Sequence, residues 1–407
     1  MARDHLVIVG AGMACALLLE SLDKGGFSGP ITVISEESHA CYNRVLLSSW
    51  LAGTVKEEDL QMFDPTATSL NIEWIYETAV DNLDMSAGSV VLSSGEQLDF
   101  DRLVFATGAE PAVPANVPLS LQGVETFRTR DDARRLLDQQ SQSLNVAVLG
   151  GGLLGLEAAE GMRAMGCETT LIHRHHRLMN RQLDLGGSEA LAAELRSRGM
   201  CLRLGATVDR VESVDGRCVA LCLDDGSRIQ TDLLIIATGI RPRVHIARRA
   251  GLPVNHGIVV DPSLCVSGRP VYALGECCEV DGETFGMVTP IRSQALVLAR
   301  VLCGEKARFE HESPPVQLKI SDIELFAVGE SSSAASIGVS DEAQGVYRRL
   351  YFENGRLAGA VLLGDVSGGA VYEALISAAA SVDPHDMKIL FDPQPIAPLV
   401  VGEAQAA

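Results

Sequence analysis

No apolar run in this 407-residue chain is long enough to cross a bilayer. Although 47% of the residues are apolar, no stretch reaches the roughly 18 uninterrupted residues that a spanning helix needs. A secretory leader is also missing, because the apolar stretch opening at Leu6 is cut at Gly10. These absences place the expected location in the cytoplasm. Basic residues are scarce: 33 Lys and Arg stand against 53 Asp and Glu, a net charge of −20. That balance excludes nucleic acid and anionic membranes as natural partners and reads as a solvated acidic surface. The ten cysteines contain no Cys-x-x-Cys, and no Cys-x-x-x-x-Cys follows the first glycine turn. A redox disulfide, an iron–sulfur cluster and a disulfide framework are therefore not expected. His173, His175 and His176 lie close together without a carboxylate or cysteine beside them, so no metal site is expected.

What the chain does have is a duplicated glycine turn. Gly10-Ala11-Gly12 follows the strand-like Leu6–Val9, and Gly150-Gly151-Gly152 follows Val146–Leu149. Each opens a helical segment, and Ala106-Thr107-Gly108 and Ala237-Thr238-Gly239 come later in the two halves. One such loop is weak evidence. Two in strand–turn–helix context, followed by Tyr272-Ala273-Leu274-Gly275-Glu276, describe a protein that holds two dinucleotides and passes a hydride between them.

The expected fold is α/β: two Rossmann-like dinucleotide-binding domains and a small α+β C-terminal domain. Residues 1–115 and 241–312 form the first, interrupted by 116–240 as the second. Residues 313–400 form the third, with 401–407 as a tail. Pro314-Pro315 reads as a linker, after which Val316–Ile320, Tyr347–Phe352 and Leu357–Leu363 read as strands. Asn354-Gly355 between the last two is a hairpin signal, since both residues accept positive φ. A helix over Val371–Ala380 closes the domain.

In the first site, Gly10 permits a tight turn and Gly12 lets the backbone approach a pyrophosphate at the start of a helix over Met13–Leu22. Cys15 takes the third fingerprint position, where a small side chain still allows close packing. Glu36 ends the strand Ile31–Ile34 and suits ribose hydroxyls; a plain surface acid at Glu36 or Glu37 is the competing reading. Arg44, in apolar company, needs an anion such as a pyrophosphate or flavin edge. Glu276 suits ribityl hydroxyls. Thr289-Pro290 reads as the N-cap and first turn of a helix over Ile291–Leu302, either aimed at a flavin or an ordinary cap.

The second fingerprint is complete, with Gly150, Gly152 and Gly155, and Glu157 on the following turn. The strand Thr169–Ile172 ends in His173-Arg174-His175-His176-Arg177, where NADH-specific sites carry an acid. Arg174 and Arg177 suit a 2′-phosphate, so NADPH is expected to be accepted without excluding NADH. A solvated basic loop is the competing reading.

Together these motifs resemble the FAD-dependent pyridine nucleotide:disulfide oxidoreductase superfamily over nearly the whole chain. Within it they resemble most the flavoprotein module of NAD(P)H nitrite reductases and the electron-transfer subunits of assimilatory nitrate reductases. The segments carrying that likeness are Tyr42–Ser49, Arg181–Asp184, Gly275–Cys277 and Leu357–Asp365. The resemblance implies FAD contacts from Gly10, Ala11, Gly12, Met13, Cys15, Glu36, Arg44, Ser48, Val80, Ala106, Thr107, Gly108, Gly275, Glu276 and Thr289. It implies NAD(P) contacts from Gly150, Gly152, Leu154, Gly155, Glu157, His173, Arg174, Arg177, Thr238 and Gly239. Related rubredoxin and ferredoxin reductases carry a lysine where this chain has Ser49. Without that cation, Glu157 is expected either with a raised pKa or hydrogen-bonded to the nicotinamide amide.

The implied function is NAD(P)H-to-FAD hydride transfer with onward delivery to a redox protein. The acceptor is a nitrate or nitrite reductase subunit, or a rubredoxin or ferredoxin. The sequence stops before any sirohaem domain, so the reductase component alone is expected, and the third domain makes a homodimer plausible by resemblance. Rival readings are a single-cysteine NADH oxidase, peroxidase or coenzyme A disulfide reductase using Cys41, with vicinal Cys277-Cys278 as a weaker option. A flavin-bound sensor with negligible turnover is a rival from another class.

Overall fold

The computed structural model describes residues 4–39, 41–139, 144–266, 268–311, 316–320 (backbone), 323–383, 387–391 and 393. The Pro314-Pro315 linker and the 401–407 tail lie outside the described residues. The chain forms two compact units, one of Met1–Ala112, Arg128–Asp138 and Gly239–Pro314, the other of Val113–Phe127, Gln139–Thr238 and Pro315–Ala407.

The first unit is built on a five-stranded parallel sheet in the order Val271–Ala273, Arg102–Phe105, Leu6–Val9, Ile31–Ile34, Ile72–Ile75. Leu6–Val9 and Ile31–Ile34 are buried at every position. Being covered on both faces explains why they are apolar throughout but for the buried Thr32. The helices Met13–Lys24 and Val288–Leu302 pack on one another and bury Leu18, Leu22, Ala295 and Leu298 in the same core. A second helix signal was displaced: Val288–Leu302 starts with Met287 as N-cap and no side-chain cap bond. Thr289 is therefore inside the first turn and not the cap, while Pro290, which lacks an N–H, stays where the first turn tolerates it.

The second unit repeats the design, with the parallel order Cys201–Leu204, Glu168–His173, Asn145–Leu149, Leu233–Ile236, Val124–Thr126. An antiparallel sheet of Val208–Val214, Arg217–Leu223 and Arg228–Gln230 stands beside it, with Cys218 buried in that core.

The C-terminal part of the second unit is a five-stranded antiparallel sheet ordered Val316–Ile320, Ile323–Gly329, Arg356–Leu363, Val346–Glu353, Ala335–Asp341. Asn354 (φ +51) and Gly355 (φ +73) close the expected hairpin. The strands Ile323–Gly329 and Ala335–Asp341 had no expectation behind them. Ala335–Asp341 is an edge strand with no fully buried residue; its Ala335, Ile337 and Val339 alternate with Ser336, Gly338 and Ser340, a short pattern that the sequence reading passed over. The closing helix runs Gly369–Ser377. It ends before Ala380 because Ala379 takes a left-handed φ of +47. Two resemblance motifs are structural here. Asp365 pairs at 2.7 Å with Arg348, which is 4% exposed. Asp184 caps the helix Leu185–Ser197 by accepting Gly187 N–H at 3.0 Å and takes the Tyr347 hydroxyl.

Candidate dinucleotide sites

The first glycine turn is tight at one residue and open at the other. Gly10 has φ +104, and a Cβ there would stand 2.4 Å from the Ala106 carbonyl oxygen. Only glycine permits that approach between the turn and the strand end at Ala106-Thr107-Gly108. Gly12, by contrast, meets nothing nearer than Arg44 Nε at 4.0 Å. Its backbone is accessible to an incoming group, and Met13 starts the helix whose free amides favour anions. Cys15 is fully buried, with its thiol against Cys41, and that neighbour and burial raise its pKa well above the ordinary value. A small thiol therefore fills the third fingerprint position without holding helix and strand apart.

Two arginines and two carboxylates surround this turn. Arg44 pairs with Glu37, donates to the Arg128 carbonyl at 3.3 Å and lies 5.1 Å from the Tyr42 ring centre. Burial works against its charge, but Tyr42 and Glu37 more than compensate and its pKa is raised. The anion expected for Arg44 is therefore Glu37 in this structure. The Tyr42 hydroxyl donates to the same carboxylate at 2.6 Å. Arg128 pairs with Glu276, with side chains 15% and 16% exposed, and its Nε is buried without a hydrogen bond among the described residues. Gly108, at φ +63, is within 3.6 Å of Glu276 and 4.0 Å of Arg128 as measured from a built Cβ. Gly275, at φ +81, is held by the Gln294 side-chain oxygen, which accepts its N–H at 2.8 Å.

Sequence reasoning missed Arg128 and Gln294. Arg128 follows the strand Val124–Thr126, away from any glycine turn; only its place before the Asp132-capped helix Arg130–Asp138 hinted at an ordered role. Glu36, expected at the ribose, forms a half-exposed pair with Arg243 at 2.8 Å. Thr107 donates to the Arg243 carbonyl at 2.8 Å. Ala11, Ser48, Val80 and Ala106 are buried, at 7%, 9%, 4% and 5% exposure, and Val80 opens a strand paired with Leu92. They stand in the same unit as the turn.

The second turn has the same division of labour. A Cβ on Gly150 (φ +133) would stand 2.1 Å from the Ala237 carbonyl oxygen, and one on Gly155 would stand 2.0 Å from the Gly150 carbonyl oxygen. A Cβ on Gly152 would meet nothing within 4 Å. Leu154 and Glu157 are half-buried on the helix Leu153–Ala164, Arg174 is exposed and Arg177 half-buried. Thr238 follows Ala237 directly, and Gly239 has φ +117. On the same helix Glu160, 1% exposed, pairs with Arg163 at 2.7 Å and Arg198 at 3.5 Å.

Both turns fit a dinucleotide: glycine is obligatory where backbone meets backbone, and the face toward an incoming pyrophosphate is left bare. The cysteines fit a nucleophilic role poorly. Cys277 and Cys278 are fully buried, and burial raises both pKa values, disfavouring the thiolate. Cys41 is 2% exposed. Among the described residues, no cluster of three or more His, Cys, Asp or Glu is arranged to hold a metal, and no helix is long and apolar enough to cross a membrane.

The sequence profile of the pyridine nucleotide-disulphide oxidoreductases matches residues 4–295, and that of the rubredoxin NAD+ reductase C-terminal domain matches 314–380. The chain is 35% identical to the nitrite reductase [NAD(P)H] of Bacillus subtilis over 94% of its own length, and spans 48% of that relative. It is 32% identical to a nitric oxide reductase FlRd-NAD(+) reductase of Escherichia coli, covering 81% of this chain and 86% of that one. Putidaredoxin reductase, solved in covalent complex with putidaredoxin, superposes with a TM-score of 0.87 at 27% identity, over 94% and 95% of the two chains. The chain belongs to the pyridine nucleotide-disulphide oxidoreductase family and is an FAD-dependent NAD(P)H oxidoreductase.

Proposed function

We propose that this chain is the reductase component of a nitrate- or nitrite-assimilating system, taking electrons from NAD(P)H and handing them to a redox protein. The observation that carries this reading is the pair of glycine turns, each bare at its second glycine, in a chain whose flavin-side cysteines are buried thiols. Bound FAD would supply the chemistry, accepting a hydride as a pair of electrons and releasing electrons singly.

The protein's share is positioning and charge. Gly10 and Gly12 bring backbone amides and a helix N-terminus to the FAD pyrophosphate, with Arg44 and Arg128 supplying positive charge. Glu276 accepts from the ribityl hydroxyls and Glu36 from the ribose. Gly150, Gly152 and Gly155 do the same for NAD(P)H, Glu157 positions the nicotinamide, and Arg174 and Arg177 favour a 2′-phosphate. We infer a three-domain organisation: residues 1–115 and 241–312 for FAD, 116–240 for NAD(P), and 313–400 as an interface domain that supports a homodimer. NAD(P)H supply places the reaction in the cytoplasm.

A rubredoxin or ferredoxin reductase is the second reading, favoured by the C-terminal match over residues 314–380. The test is NAD(P)H-driven reduction of separately purified acceptors: a nitrite reductase sirohaem portion, a rubredoxin and a ferredoxin. The proposal expects the first to be reduced near the typical enzyme turnover of about 10 per second. Faster reduction of rubredoxin or ferredoxin selects the second reading. Reduction of an artificial dye but of no protein acceptor sinks both.

A further inference from the structure

A strand at the edge of a sheet offers an unpaired row of N–H and C=O groups to any extended chain that fits beside it. Proteins blunt such edges with short strands, internal charges, proline or bulges. Among the described residues, every edge strand but one is blunted in this way. Most are three residues long or shorter, and Ile72–Ile75 and Cys201–Leu204 hold Glu73 and Arg203. Val80–Asp84 and Val208–Val214 hold several charges and break register with their neighbours. Val316–Ile320, the other edge of the C-terminal sheet, holds Lys319.

The exception is Ala335–Asp341. Its seven residues pair with Val346–Glu353 in one unbroken register, without a bulge. It holds no proline, and its one charge, Asp341, stands at its end. Residues 331–340 carry no charge, in a chain whose net charge is −20. Gly338 does not loosen the strand. A Cβ there would meet the Arg348 carbonyl oxygen at 2.8 Å and Arg349 Nε at 3.2 Å, so glycine is what lets the two strands lie this close. Ile337 packs against the core that holds Leu350, Phe352 and Leu390, which leaves the backbone edge as the open side. Among the described residues, no segment other than Val346–Glu353 bonds that backbone.

We propose that Ala335–Asp341 pairs antiparallel with the same strand of a second copy of this chain, about a two-fold axis at Gly338, joining two C-terminal sheets into one. The strand is its own complement in that register. Ile337 lies opposite Val339 of the second copy, Ser336 opposite Ser340, and Ala335 opposite Asp341, each pair on one face. The two Asp341 carboxylates stand at opposite ends, about 20 Å apart at about 3.4 Å per residue. That exceeds the Debye length of about 8 Å at physiological salt, so the neutral stretch meets its copy without opposed charges. The two-fold closes the contact, and association stops at the dimer. This rests on the reading of residues 313–400 as an interface domain that supports a homodimer, and names the surface.

The test is the mass of the FAD-loaded full-length protein by sedimentation velocity and light scattering at micromolar concentration. Wild type should be a dimer. Ser336 and Ser340 are exposed, so changing them leaves the fold alone, which flavin content and Tm check. Ser336→Lys with Ser340→Lys sets like charges opposite one another on both sides of the axis and should weaken the dimer by about tenfold or more. Ser336→Lys with Ser340→Glu also adds two charges, but as opposite pairs, and should keep the dimer. A dimer untouched by the double lysine change overturns the proposal and moves the homodimer reading to another surface. Loss of the dimer in both double variants overturns the pairing about Gly338. A wild-type monomer overturns the homodimer reading itself, and this proposal with it.

Discussion

A Cβ built on Gly152 meets no atom within 4 Å, and its backbone angles, φ −92 and ψ −175, are open to any residue. Alanine there should leave the folded second unit intact, the gain of about 0.4–1 kcal/mol from restricting the unfolded chain being offset by alanine's poorer fit at this helix N-cap. Gly150 is the opposite case. A Cβ there would lie 2.1 Å from the Ala237 oxygen and 2.6 Å from its carbon, at φ +133. Left-handed strain contributes about 1–2 kcal/mol. Displacing Ala237 disturbs its 2.9 Å hydrogen bond to the Leu149 carbonyl and the Leu149–Ile236 pairing. Each such bond adds about 0.5–1.5 kcal/mol, so Gly150→Ala should cost about 2–5 kcal/mol in all. For binding the order reverses in meaning: Gly152→Ala folds but pushes a pyrophosphate away from the turn. Loss of about two hydrogen bonds to a charged group, each about 1.5–3 kcal/mol, weakens NADH binding by about a hundredfold or more. Thermal unfolding and calorimetric titration with NADH read the two effects separately. Wild-type NADH affinity in a stable Gly152→Ala protein would refute the assignment of this turn.

Arg128→Leu leaves Glu276 buried without its cation, which should cost about 3–5 kcal/mol and lower FAD content. Urea unfolding of the FAD-free protein and the flavin-to-protein absorbance ratio check this; unchanged values in both count against it. Glu57 has a pKa below 4.5: burial opposes its charge, but Arg130 and Arg134 outweigh it. Its contribution is present above pH 4.5 and lost as the pH falls through the lowered value, so Glu57→Gln should flatten the pH dependence of Tm below 4.5. The same slope in both proteins contradicts that pairing. Cys41→Ser should leave flavin reduction by NAD(P)H intact, and complete loss in a folded variant would revive a cysteine-dependent mechanism.

The parallel sheets were legible because a glycine turn between a buried strand and a helix is a local signature. Leu6–Val9 and Ile31–Ile34 fall where the glycine turn and the short apolar runs put them. The hairpin at Asn354-Gly355 was legible for the same reason: its φ values are a property of two adjacent residues. Long-range pairing was not. Arg44 demanded an anion, but nothing local said that Glu37 supplies it, and the Arg128–Glu276 pair joins residues far apart in the chain. Gln294 lies on a helix read only for its start, yet it is fully buried and holds Gly275. His173 was legible as a position, while the hydrogen bond its Nδ1 accepts from the Gly151 backbone depends on a strand register that sequence does not print. Edge strand Ala335–Asp341 escaped although Ala335, Ile337 and Val339 alternate, because the pattern is short and only Ile337 and Val339 are even half-buried.

The central claim is tested most directly by anaerobic titration of the FAD-loaded protein with NADPH and with NADH, recording full visible spectra. The account predicts that either nucleotide bleaches the flavin at about one equivalent per FAD, with no thiolate–flavin charge-transfer band. Uptake of a second equivalent, or a long-wavelength band that disappears in Cys41→Ser, would contradict it and assign the chemistry to a cysteine.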